Sequence, residues 1–138
     1  MKPEINFYQV DETIIKALAP LLLKILEEGK KALIFCSDQA QIKAIDDSLW
    51  SYGRSKFIPH VTISDKDFSF ERQQILISNK EENSNQADYL VFLSEPSANF
   101  ISSFSRVFYF FEEGKFSAQS KPTNFYKKED GKWVKVWK

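Results

Sequence analysis

Trp50 and Phe57 flank a polar stretch, Ser51-Tyr52-Gly53-Arg54-Ser55-Lys56, that carries two cations. Two large rings around a loop bearing Arg54 and Lys56 make an apolar pocket with a cationic rim. That combination suits an acidic peptide ending in an aromatic residue, whose ring enters the pocket while the rim attracts its carboxylates. The same two rings can instead close a core over the loop, and composition alone favours packing, because aromatics at element ends are usually buried. A second aromatic group, Phe125, Tyr126, Trp133 and Trp137, is interleaved with Lys127, Lys128, Lys132, Lys135 and Lys138. Rings among lysines can stack bases and hold phosphates. An edge hairpin whose lysines discourage aggregation explains the same pattern, and the neutral chain favours it.

Other reactive side chains stand alone. His60 is the single histidine and has no Cys or carboxylate cluster near it in sequence, so no metal motif is present. Cys36 is the single cysteine, which excludes an internal disulfide or a cysteine zinc cluster. At a strand end it reads as a small buried hydrophobe rather than a nucleophile. Asp46-Asp47 and Glu112-Glu113 are sequence neighbours, which diverge on a helix and read as solvated charge rather than an acid/base pair. The four glycines are scattered, and none forms a phosphate-cradling loop after a strand. Asp11-Glu12 at the end of the first strand would repel a phosphate there. No catalytic constellation and no cofactor site is expected.

The elements that must position these residues follow from periodicity. Ile5 to Val10 is a strand by its apolar, strand-forming residues. Asp11 is expected to cap a helix carrying Ile14, Leu18, Leu21, Leu22 and Ile25, ended at Gly29 and kinked at Pro20. Lys31 to Cys36 is near-continuously apolar, a strand buried on both faces. Asp38 caps the next helix with Gln41 as capping-box partner, and Ile42, Ile45 and Leu49 form its apolar line, with Trp50 at its end. Ser51 to Arg72 is polar and irregular. Gln74 to Ser78 and Tyr89 to Leu93 are core strands joined by the polar Asn79 to Asp88. Pro96 to Ser105 holds a short helix, Arg106 to Phe111 a fifth strand, and Asn124 to Lys138 a hairpin. The alternation of strand and helix predicts a three-layer α/β/α domain over residues 1–138 with a mostly parallel sheet and the hairpin 124–138 added to it.

The 138 residues suffice for one domain with a real core, and 43% hydrophobic with 28% charged residues reads as soluble and globular. The 19 basic and 19 acidic side chains cancel, which argues against broad nucleic-acid binding driven by counterion release. Met1-Lys2-Pro3-Glu4 lacks the apolar core of a signal peptide, and Leu21-Leu22-Leu23 is soon followed by Lys24. A cytoplasmic location without a membrane span is expected.

The order of segments resembles the chi subunit family of bacterial DNA polymerase III. Phe7-Tyr8, Ala32-Leu33-Ile34, Asp46-Asp47-Ser48-Leu49-Trp50, Phe57-Ile58-Pro59-His60 and Gln74-Ile75-Leu76-Ile77-Ser78 carry the resemblance over nearly the whole chain. Phe125-Tyr126 and Asp130-Gly131-Lys132-Trp133 resemble the C-terminal extension of some branches. The resemblance implies a non-catalytic clamp-loader accessory protein that binds the acidic C-terminal tail of single-stranded DNA-binding protein, and in many bacteria the psi subunit, with only indirect contact to DNA. It also implies that Trp50 and Phe57 line the tail pocket, which reverses the packing preference, with Phe111 as a further apolar wall and Arg54 and Lys56 on the rim.

One region departs from the family pattern. Where members usually carry a basic helix with an Arg and an aromatic one turn apart, Glu112 to Pro122 is short, holds Gly114 and Pro122, and has no Arg. Lys121 is the cation left to serve there, without the bidentate fork that Arg offers a carboxylate. Weaker or altered tail binding is therefore expected. Two rival readings remain: a direct single-strand binder using the aromatic, lysine-rich hairpin, and a nucleotide-dependent enzyme on the same fold.

Overall fold

The strand-forming run at the start of the chain becomes β1 (Glu4–Val10), and the helical line after it becomes α1 (Ile14–Glu27). The structure is a computed structural model and describes residues 3–10, 13–52, 58–65, 69–112, 118, 121–129 and 132–137. Asp11 lies outside the described residues; the N-cap of α1 is Thr13, which makes no side-chain cap bond. The helix runs through Pro20, which lies on its exposed side. Gly29, with φ +72°, ends the run. Its N–H donates to Leu26 O at 3.0 Å, and the Lys30 N–H donates to Ile25 O at 3.0 Å. These two bonds form a Schellman closure, which needs the left-handed backbone that glycine takes at little cost.

β2 (Ala32–Phe35) is buried throughout, as its unbroken apolar sequence requires. It leads into α2 (Gln39–Ser51), where Asp38 Oδ1 accepts from the Gln41 N–H at 2.9 Å. Gln41 Oε1 reaches back to the N–H of Ser37 at 2.8 Å, so the expected box closes one residue earlier than Asp38. β3 (Val61–Thr62) is a two-residue strand inside the stretch read as irregular. A single 3-10 turn, Phe70–Arg72, then leads to β4 (Ile75–Ser78). β5 (Tyr89–Phe92), α3 (Ala98–Ser102) and β6 (Arg106–Glu112) follow as expected. The chain closes with β7 (Asn124–Glu129) and β8 (Lys132–Trp137), the hairpin that the sequence predicts.

Among the described residues, all eight strands join one sheet in the order β3-β4-β2-β5-β6-β1-β7-β8. Every neighbouring pair is parallel except β7 with β8. Strand alternation sends Ile34, Cys36, Ile75, Ile77, Val91, Phe108 and Phe110 to one face, where Leu18, Leu22 and Ile25 of α1 and Ile42, Ile45 and Leu49 of α2 cover them. Leu33, Phe35, Leu90, Phe92, Val107 and Tyr109 point to the other face, under Ile101 of α3 and Phe104. These are the three layers expected from sequence.

The helix-free connection from β4 to β5 is held by asparagines. Buried Asn85 donates through Nδ2 to Ala32 O at 3.1 Å and to Gln73 O at 3.0 Å. Asn83 Oδ1 accepts from the Ala87 N–H at 2.7 Å, and Asp88 Oδ2 accepts from the Lys31 N–H at 3.0 Å. Side-chain bonds therefore do in this crossover what α1, α2 and α3 do after β1, β2 and β5.

Candidate functional site

α2 runs back along the sheet from the C-terminal end of β2, so its last turn arrives at the pole where the parallel strands begin. The apolar line ends inward at Leu49, and the next residue, Trp50, points away from the core and is 58% exposed. The packing alternative for Trp50 is thereby corrected: a helical rotation of one residue past a core position carries the ring outward.

Trp50 rests against His60, with ring centroids 4.8 Å apart and planes tilted by 51°. His60 itself is buried. Its Nε2 lies 2.9 Å from Asp46 Oδ1, one turn before Trp50 on α2, and its Nδ1 lies 2.6 Å from Ile58 O. Asp46, Trp50, Pro59, His60, Val61, Asp65 and Gln73 line an open cavity of about 350 Å³. Both carboxylates among the described lining residues are engaged, Asp46 with His60 and Asp65 Oδ2 with the Thr62 N–H at 2.8 Å. Phe57, Arg54 and Lys56 lie outside the described residues. His60 was the missed member of this site. From sequence it was a lone histidine without a metal motif, placed only within the Phe57-Ile58-Pro59-His60 segment of the resemblance; that it meets α2 is a tertiary contact no local spacing shows.

Phe111 is not a wall of this cavity. It is 4% exposed and stacks on Tyr109 at 5.0 Å, with the edges of Phe7 and Phe125 at 6.3 and 5.8 Å. It lines a separate hollow with Ile14, Gln41, Leu93, Ser94, Tyr109, Phe110 and Glu112 at the opposite pole of the strands. Between β3 and β6 lie β4, β2 and β5, a lateral gap of roughly 19 Å at normal strand spacing. Lys121 is also displaced from the Trp50 rim. Thr123, two residues on, is pinned beside β1 by its N–H to Ile5 O at 2.7 Å and its hydroxyl accepting from the Ile5 N–H at 3.1 Å. That position is on the order of 25 Å across the sheet from β3. Sheet order, invisible in local sequence, decides both corrections.

The other reactive candidates have structural partners. Burial pushes the Cys36 thiol up to about 12, with the charge of Asp38 adding to it, so the thiolate is disfavoured. The start of α2 is occupied by the Asp38 carboxylate. The start of α3 holds Glu81, whose carboxylate takes the Ser97 N–H at 2.9 Å and the Ser97 hydroxyl. Those bonds hold Glu81 below the usual carboxylate range. Among the described residues no group of His, Cys, Asp or Glu side chains is placed to hold a metal ion. No helix among them is long and apolar enough to cross a membrane.

The hairpin rings Phe125, Tyr126 and Trp133 pack on rings of β1 and β6. Tyr8 is stacked between Phe110 at 5.0 Å and Tyr126 at 5.1 Å, and Phe125 packs against Phe7 at 6.0 Å. Trp133 meets the Tyr8 ring at 73° and 5.1 Å and stays 39% exposed.

Residues 1–129 match the family model described as DNA polymerase III chi subunit, HolC. The chain is 31% identical over 88 residues to the probable DNA polymerase III subunit chi of Rickettsia prowazekii, covering 64% of this chain and 52% of that protein. It is 26% identical over 107 residues to DNA polymerase III subunit chi of Pseudomonas aeruginosa, covering 75% of this chain and 72% of that one. The match therefore spans about half the length of the Rickettsia relative.

Proposed function

The chain belongs to the DNA polymerase III chi subunit family, and from that membership we propose that it is a non-catalytic tether. It links the clamp loader to single-stranded DNA-binding protein by holding that protein's acidic C-terminal tail. The carrying observation is Trp50: a large ring at a helix end, 58% exposed, seated on a buried histidine beside an open cavity. Exposing an indole forfeits the burial that drives folding, and a partner's side chain placed against it recovers that free energy.

In this reading Trp50 and Phe57 hold the terminal aromatic ring of the tail, and Arg54 and Lys56 meet its carboxylates. Asp46 and Asp65 are each tied by a hydrogen bond within the fold but keep their negative charge, which the two cations of this reading must outweigh. Contact with DNA is indirect, and a psi subunit is a second partner through which the clamp loader is reached. Modest affinity at one pocket is enough in such an assembly, because each linked contact raises the effective concentration for the next. The burial of Cys36 and the engagement of both His60 ring nitrogens support the non-catalytic assignment.

Calorimetric titration with an acidic peptide ending in Phe tests the reading. Saturable binding is expected, lost in Trp50→Ala and Phe57→Ala variants that keep the native circular dichroism spectrum. Folded wild-type protein that takes up no heat of binding would defeat the tail assignment.

A further inference from the structure

On the face of the sheet covered by α1, the helix ends its cover over β1, and β7 and β8 extend past it. Between α1 and the hairpin lies a cleft of about 300 Å³ lined by Tyr8, Ala17, Pro20, Leu21, Lys24, Phe110 and Trp133. We propose that this cleft is a second peptide-docking site, which takes one bulky apolar side chain from an internal, acidic segment of a partner protein. It goes beyond the Trp50 reading, because the cleft borders β8 and the Trp50 cavity borders β3, the two opposite edges of the sheet.

Size, lining and charge select this occupant. The volume is at the lower limit of ligand pockets, enough for a single large side chain. The floor and walls are rings and aliphatic groups, with Lys24 as the one charged residue among the described lining residues. Register places further cations on the same face. Lys128 pairs with Trp133 and Lys135 with Tyr126, and Lys128 Nζ sits 5.2 Å from the Trp133 ring centre. Among the described residues, β7 and β8 carry Lys127, Lys128, Lys132 and Lys135 against Glu129, and of these Lys128 and Lys135 share the Trp133 face. The adjoining hollow shares Tyr8, Leu21 and Lys24 and continues to Glu28 and Arg106, the latter ion-paired with Glu4 at 3.1 Å. Lys24, Lys128 and Lys135 thus set positive charge at the Trp133 end of the groove.

The same geometry disfavours two other occupants. Stacking of nucleobases needs free ring faces, but Phe110 and Tyr126 cover the two faces of Tyr8 and Lys128 lies over Trp133. A second copy docked edge to edge would bring Lys132 and Lys135 against their own kind.

The test uses full-length, nitrogen-15-labelled protein and a peptide with a central Phe flanked by Asp and Glu, blocked at both termini. The blocked end removes the terminal carboxylate that the Trp50 reading requires, so failure here leaves that reading standing. Saturable shifts of the Trp133 indole and Lys24 amide resonances are expected. Lys24→Glu and Lys128→Glu should each weaken binding by roughly five- to tenfold, and Trp50→Ala should bind as wild type does. Four results would each overturn the proposal: shifts confined to Trp50, no shift at all, unaltered binding by folded charge-reversal variants, or displacement of the peptide by oligothymidylate. Movement of the same resonances on concentrating the protein alone would overturn it in favour of self-association.

Discussion

His60 Nε2 lies 2.9 Å from Asp46 Oδ1, joining the residue just before β3 to the middle of α2. The bond crosses the interval that holds Trp50, and the Trp50 ring rests on the imidazole it fixes. Replacing His60 with Ala removes both the bond and the surface under the indole. Loss of about 1–3 kcal/mol of stability is expected, since the Asp46 partner is lost and a buried ring is deleted. Urea unfolding would measure it. In the tail-peptide titration the same variant should bind more weakly than wild type even where it is fully folded, which separates positioning of Trp50 from global stability.

Cys36 makes the stability sensitive to alkali. Its thiol is near 9.0 when unfolded and is pushed up to about 12 in the fold by burial, so the folded state favours the protonated form. The resulting stability is fully present below pH 9 and is lost as pH rises from 9 toward 12. Tyr8, raised from 10.0 to about 12 mainly by burial, adds a second loss that begins above pH 10. Urea midpoints between pH 8 and pH 10 should therefore fall in wild type and fall less in Cys36→Ala. A parallel decline in both proteins would contradict the thiol assignment.

Asn85 should be the most sensitive polar position in the β4–β5 connection. Its Nδ2 bridges Ala32 O and Gln73 O, two carbonyls from separate segments. Asn85→Ala leaves both without that donor and should cost about 2–3 kcal/mol. Asn85→Asp should cost more, because it sets a carboxylate against two carbonyl oxygens. Chemical denaturation of the pair checks the ranking.

Gly29→Ala isolates backbone conformation from packing. An added Cβ meets nothing within 4 Å, yet φ is +72°, a region that costs an L-residue about 1–2 kcal/mol. A lower thermal midpoint with unchanged peptide binding is the expected outcome.

Much of the architecture is local and was therefore legible in the residues alone. The four buried residues of β2 announce themselves as an apolar run, Asp38 and Gln41 form a cap within one turn, and Gly29 permits the backbone that closes α1. Each signal depends on contacts within a few residues, through hydrogen-bond chemistry and side-chain period. The sequence also marked Trp50 as informative and the lysine-rich tail as a hairpin.

What only the tertiary structure decided was adjacency across the sheet. β3 is two residues long and exists because β4 offers it a partner, so no local period reveals it. The β3-β4-β2-β5-β6-β1-β7-β8 order carries Phe111 and Lys121 away from Trp50, brings His60 beneath it, and stacks Tyr8 on Tyr126. These relations join residues far apart in the chain, and the burial of two complete faces selects them over any local preference.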